Sequence, residues 1–211
     1  MGKFDLRLAT RAVTAAWLTA TIDARADCDP AVAGFVSLEG VVEVAHADQT
    51  QWIAAARDLV LCQSDSVRVG PNSRAAIHLA NDAVLRLDQN TTLRLVDVAA
   101  EPEKRSLLEL VVGAFKSFSR APRTMTVSTP YVNGMIEGTE FAMRVADGQS
   151  QVNVFEGKVK AVNDLGTLSL GRGQSAIAKS GAAPAPDLLV TPDDAVRWTL
   201  YYPPVLALDE E

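Results

Sequence analysis

No stretch of this sequence concentrates positive charge. Its 20 Lys and Arg residues are scattered among 26 Asp and Glu, and the formal net charge is −6. Nucleic-acid binding needs a concentrated basic surface to neutralise phosphates, so no nucleic-acid partner is expected. The same sign argues against docking on anionic lipid headgroups. Histidine and cysteine are scarce, two of each, and their spacing makes no zinc site. His46 and His78 have no nucleophile motif nearby, and Gly-x-Ser-x-Gly is missing. Paired carboxylates occur as Asp27 with Asp29 and Asp193 with Asp194, near the termini and not visibly across a cleft. Gly171-Arg172-Gly173-Gln174-Ser175-Ala176 mimics a dinucleotide loop. The strand-like Ala176-Ile177-Ala178 stands where a helix must hold the pyrophosphate, so a β-turn is expected instead. These absences predict a chain without catalytic residues, metal or cofactor.

Long apolar runs are also missing. Ala12 to Ile22 spans 11 residues, whereas a membrane-crossing helix needs roughly 20. Lys3, Arg7 and Arg11 precede that run and Ala24-Arg25-Ala26 follows it, the pattern of an export signal cleaved before Asp27. The alternative is an amphipathic N-terminal helix. Loss of residues 1–26 removes four basic and two acidic residues, so the net charge becomes −6 − 2 = −8. After processing, no stable membrane insertion is expected. Cys28 and Cys62 both follow the cleavage site, and in an oxidising compartment the simplest expectation is a disulfide; two buried thiols are the alternative.

What the chain has in abundance is a period of two. Arg74-Ala75-Ala76-Ile77-His78-Leu79 alternates strictly. Val84-Leu85-Arg86-Leu87 and Thr92-Leu93-Arg94-Leu95 follow, separated by turn residues such as Gly70-Pro71-Asn72-Ser73, Asn81-Asp82 and Gln89-Asn90. Short strands are expected at Leu107 to Val112, Thr124 to Ser128, Phe141 to Val145, Val152 to Phe155 and Val159 to Val162. The one helix-like segment is Thr191 to Tyr202. A strand–Gly–strand unit recurs: Phe35 to Val44 around Gly40, Val152 to Ala161 around Gly157, and more loosely Leu108 to Phe115 around Gly113. A glycine inside a strand pattern marks a bend or bulge. The expected fold class is all-β, with short bent strands in coiled, solenoid-like or sandwich-like layers and a short C-terminal helical segment. The expected organisation is a signal peptide over 1–26, an all-β domain over 27–190 and an amphipathic tail over 191–211. Trp198, Tyr201 and Tyr202 are the tail's docking residues.

Thr129-Pro130 and the segment Gly134-Met135-Ile136-Glu137-Gly138-Thr139-Glu140-Phe141 carry the most distinctive motif. In them the chain resembles the FecR-domain family, whose hallmark is "T-P…G-V-x-G-T-E-F" at the start of a strand. Asp65 to Ala75, Leu79 to Leu87 and Val154-Phe155-Glu156-Gly157-Lys158-Val159 are similar to further family pieces, and the resemblance covers roughly residues 34–178. Ser64 stands where the family usually has glycine, and Met135 where it usually has valine. The resemblance implies a periplasmic all-β domain that relays signals through protein contacts. The best-known relatives carry a cytoplasmic helical domain and a membrane span ahead of it, which are not seen here, so their sigma-regulating role is not carried over. Asp194 to Pro204 is similar to the junction that precedes tetratricopeptide-type repeats in other relatives.

The candidate motif and interaction residues are Gly138, Thr139, Glu140, Phe141 and Arg74. The blander reading has the glycines, Thr139 and Glu140 satisfying backbone groups at a tight turn while Phe141 fills the core. The expected function is a periplasmic module for protein interaction or envelope signal sensing, its partner another envelope protein or a helical-repeat protein. A carbohydrate- or envelope-polymer-binding module is the alternative. It requires exposed aromatics in a groove, and Trp52, Tyr131, Trp198, Tyr201 and Tyr202 are few.

Overall fold

The computed structural model describes residues 28–47, 49–101, 103–187 and 196–201, so the segment read as a signal peptide lies outside the described residues. Alternating apolar and polar residues place every second side chain on one face of an extended chain, and β-strands result almost throughout. The first eight are β1 (Ala33–Glu39), β2 (Val42–Ala45), β3 (Ile53–Ala54), β4 (Val60–Leu61), β5 (Ser66–Val69), β6 (Arg74–Leu79), β7 (Val84–Leu87) and β8 (Thr91–Asp97). Three long strands follow, β9 (Ser106–Ser128), β10 (Asn133–Ala146) and β11 (Gln149–Asn163). The last are β12 (Gly166–Leu170), β13 (Ser175–Lys179) and β14 (Ala185–Pro186). Together they form one 14-stranded antiparallel sheet.

Two expectations are corrected. The short strands anticipated at 107–112 and 124–128 are parts of one 23-residue strand, and those on either side of Gly157 join into β11. The C-terminal helical segment is replaced, among the described residues, by a single 3-10 turn at Arg197–Tyr201. There the Thr199 amide and hydroxyl both donate to the Val196 carbonyl, each at 2.8 Å.

The long strands carry the sheet around one core because their parts have different neighbours. The first part of β9 pairs with β8 and its middle pairs with β7, while its other edge pairs with β10. Likewise β11 pairs first with β13 and then with β12. The bends between these parts fall on the repeated glycines: Gly40, Gly113 and Gly157 have φ of 75°, 93° and 106°. At Gly113 a Cβ would lie 2.4 Å from the Thr91 Cα, so only glycine lets β8 and β9 approach so closely. The turn residues Asn72, Asp82 and Asn90 also take positive φ, as their side chains tolerate.

The inward faces meet in one apolar cluster in which Leu85, Leu93, Leu110, Phe115 and Val154 are fully buried. Each such side chain contributes about 1.5–3 kcal/mol by leaving water. The start of the described chain is pinned to this sheet by a disulfide between Cys28 and Cys62, with Cα atoms 5.8 Å apart. Beside it, the fully buried Asp65 carboxylate accepts hydrogen bonds from the amides of Cys62 (2.9 Å) and Ala47 (3.0 Å) and pairs with His46 Nδ1 at 3.1 Å. A buried carboxylate is tolerated when donors converge on it in this way.

Candidate functional site

The segment Gly138–Phe141 lies inside β10 and not in a tight turn. Gly138 faces Gly157 of β11 on one side and Arg123 of β9 on the other. The next aligned residue, Glu140, faces Glu156 and Phe118. Thr139 therefore occupies a bulge, opposite the outpouched Ser119–Pro122 of β9. The proline is accommodated there because an outpouched residue owes the ladder no hydrogen bond. The bulge is forced by a close approach: a Cβ on Gly157 would lie 2.3 Å from the Gly138 Cα.

The three side chains that follow from this bend do different work. Phe141 turns inward, is 3% exposed, and packs edge-on to Phe115 with ring centroids 5.8 Å apart. Glu140 turns outward and binds the Lys116 ammonium at 2.6 Å. Lys116 in turn lies 4.6 Å from the centre of the Phe155 ring, and the Arg86 guanidinium lies 5.2 Å from that of Phe118. The Thr139 hydroxyl oxygen is shielded from solvent and makes no hydrogen bond among the described residues. Neither Thr139 nor Glu140 satisfies backbone groups, as the turn reading had it. That task falls to Thr129, whose hydroxyl holds the β9–β10 turn through Val132 and reaches Ser150 at 2.8 Å.

These groups line a cleft of about 340 Å³ that includes Arg86, Lys116, Ser119, Thr139, Glu140 and Glu156. Two cations oppose two carboxylates, so the cleft is charge-balanced. Beside these charges it presents the hydroxyls of Ser119 and Thr139 and the Phe118 ring. Arg74 is not in the cleft. It sits on β6, pairs with Glu39 at 3.6 Å, and shares with Arg144 the neighbourhood of Asp88. Burial pushes the Asp88 carboxyl above its ordinary range, against the opposing pull of the Gln89 amide and the charges of Arg144 and Arg74.

Residues 65–160, which span β5 to most of β11, match the model of the FecR protein family. Over these residues the chain is similar to the FecR family. Its first matched residue is Asp65, and the match takes in both the cleft and the three long strands that build it. No curated protein matches the sequence. Two crystal structures, each named "putative anti-sigma factor" from Parabacteroides distasonis, share this fold at 17% identity. One, at 1.65 Å resolution, gives a TM-score of 0.53 over 63% of each chain; the other, at 2.50 Å, gives 0.50 over 58% of each. This chain therefore spans less than two thirds of theirs.

Around the matched residues the remaining expected site residues are placed as follows. Cys28 and Cys62 lie before the matched residues and are bonded to each other. Trp198 is half-buried next to the buried Val196 and Thr199; Tyr201 ends the 3-10 turn, and Tyr202 lies outside the described residues. Among the described residues there is no fully exposed aromatic platform of the kind sugar binding needs. The exposed large apolar side chains among the described residues are Val41, Val111, Val112, Met135 and Leu165, and none is aromatic. Asp65 was legible only as one letter of a family motif. The signal for its anchoring role is an acidic residue set directly before an apolar strand and three residues after a cysteine.

Proposed function

We propose that this chain is a non-catalytic interaction module of envelope signalling, working in the periplasm after removal of residues 1–26. The FecR match over residues 65–160 is the observation that carries this reading. The Cys28–Cys62 disulfide supports an oxidising compartment. The charge-balanced cleft around Thr139 and Glu140 supports binding over chemistry. The partner is another envelope protein or a helical-repeat protein, and Trp198, Tyr201 and Tyr202 belong to a segment that docks on the β domain. The test is expression of the full chain in a Gram-negative host, followed by intact-mass measurement of the periplasmic fraction and crosslinking in cells. Protein beginning at Asp27, without free thiols and crosslinked to a discrete envelope protein, is the expected result. Retention of Met1 in a cytosolic chain, or no crosslinked partner, overturns the reading.

A further inference from the structure

The cleft is not the chain's most distinctive surface. Several cations of this acidic protein sit on a carboxylate: Arg68 on Glu43, Arg74 on Glu39, Arg94 on Glu109, Lys104 on Glu101, Lys116 on Glu140 and Arg123 on Asp82. On the far side of the Gly138–Gly157 bend a group of cations is arranged differently. Lys158 and Lys160 point to the same face of β11, two residues apart, and both are exposed without an ion pair among the described residues. Met135 stands directly across from Lys160, and Thr126 directly across from Met135. The guanidinium of Arg105, itself exposed, donates to the Thr126 hydroxyl at 3.3 Å. Ser169 completes this row on β12, opposite Lys160.

Cross-strand neighbours lie about 4.5–5.5 Å apart, so one row places Arg105, Thr126, Met135, Lys160 and Ser169 side by side over four strands. Arg105, Met135, Lys160 and Ser169 border a groove of about 450 Å³ that also takes in Lys158 and Glu137. Its middle is apolar, since Met135 is 40% exposed. Three cations face one carboxylate on a chain whose net charge is −6.

We propose that this groove docks an acidic protein segment, with carboxylates over Arg105, Lys158 and Lys160 and an apolar side chain over Met135. Charge complementarity chooses the occupant. A broad anionic surface such as a lipid headgroup layer sets charge against Glu137 and against the acidic remainder of the chain at once, whereas a short segment confines its carboxylates to the three cations and can set an apolar side chain beside Glu137. The proposal rests on the reading of the chain as an interaction module and names the surface it uses.

The experiment titrates the purified full chain with a synthetic peptide alternating Glu and Leu, with an alternating Lys and Leu peptide and phosphatidylglycerol vesicles as comparisons. Binding of the Glu–Leu peptide, weakened by salt, is expected. Two exposed charge reversals, Lys158→Glu with Lys160→Glu, should weaken it roughly tenfold, Arg105→Glu should weaken it too, and Lys179→Glu on β13 should leave it unchanged. Should the double reversal fail to fold, Lys158→Gln with Lys160→Gln serves with a smaller expected loss. No binding, an equal loss in Lys179→Glu, or preference for the vesicles or the Lys–Leu peptide overturns the proposal. The crosslinking experiment separates the two readings. An envelope partner still captured by the Lys158 and Lys160 variant removes the groove and leaves the module; loss of all partners from the parent chain removes the module while the peptide titration still decides the groove.

Discussion

Gly138 and Gly157 face each other across β10 and β11 so closely that a methyl group on either would overlap the other strand's backbone. Gly157 also holds a φ of 106°, a conformation that L side chains rarely adopt. Gly157→Ala should therefore destabilise the protein by about 3 kcal/mol or more, combining backbone strain with overpacking. Gly148 has φ of 73° but nothing within 4 Å of a Cβ. Gly148→Ala should cost only about 1 kcal/mol. Urea midpoints of the two variants check the difference, and equal losses would mean that the close approach contributes nothing.

Ser64 has a φ of 66°, in the left-handed region, where the FecR family usually has glycine. Its hydroxyl makes only a long bond of 3.4 Å to the Val96 carbonyl. Ser64→Gly should relieve the strain and stabilise the fold by up to about 1 kcal/mol, net of glycine's greater freedom in the unfolded chain. A raised thermal midpoint is the expected reading, and a lowered one would show that the serine hydroxyl outweighs the strain.

Phe141 and Glu140 are adjacent but face opposite ways. Phe141→Ala removes a buried ring and its edge-on contact with Phe115, and should cost about 3–5 kcal/mol. Glu140→Ala breaks a partly exposed ion pair and should cost about 1 kcal/mol or less, since Lys116 keeps its contact with the Phe155 ring. Denaturant titration of both variants ranks them. A larger loss at Glu140 would make the carboxylate a structural anchor of the cleft.

Asp88 supplies a pH dependence. Its folded-state pKa is raised above the ordinary 3.8, chiefly by burial. A raised carboxyl favours folding most when protonated; this contribution is fully present below the unfolded pKa and is lost as pH rises through the folded one. At neutral pH the charged group is therefore a burden. Asp88→Asn should unfold at higher urea than the parent near pH 7, with the advantage fading toward the acid side of pH 4. An advantage that persists unchanged in acid would point to packing as its source.

Local chemistry in the chain's sequence is mirrored closely by its backbone. The repeated glycines at Gly40, Gly113 and Gly157 and the turn residues at Asn72, Asp82 and Asn90 all express constraints of one residue or one short segment, and the cysteine pair was legible because the chain has no third cysteine. What escaped is long-range. Residues 107–112 and 124–128 read as separate strands, yet β9 runs through both because Ser119–Pro122 bow outward and the ladder resumes at Arg123. Arg74 belongs to a family motif but is carried by β6 to Glu39 and Asp88, away from Thr139. The groove cations were invisible as a group because Arg105 meets Lys158 and Lys160 only through the pairing of β9, β10 and β11.

One strand, β9, is hydrogen-bonded on one edge to β8 in its first part and to β7 in its middle, and on its other edge to β10 over Gly113–Phe118 and Arg123–Ser128. No boundary can then be drawn that leaves an early half and a late half each with its own closed ladder. Opening either side strips protection from amides of the same strand. Exchange of β9 backbone protons with solvent should accordingly proceed only through whole-molecule unfolding, while the short edge strands β3 and β14 exchange through local fraying. A force applied at one end of the sheet is thus carried along β9 to the strands on both of its edges.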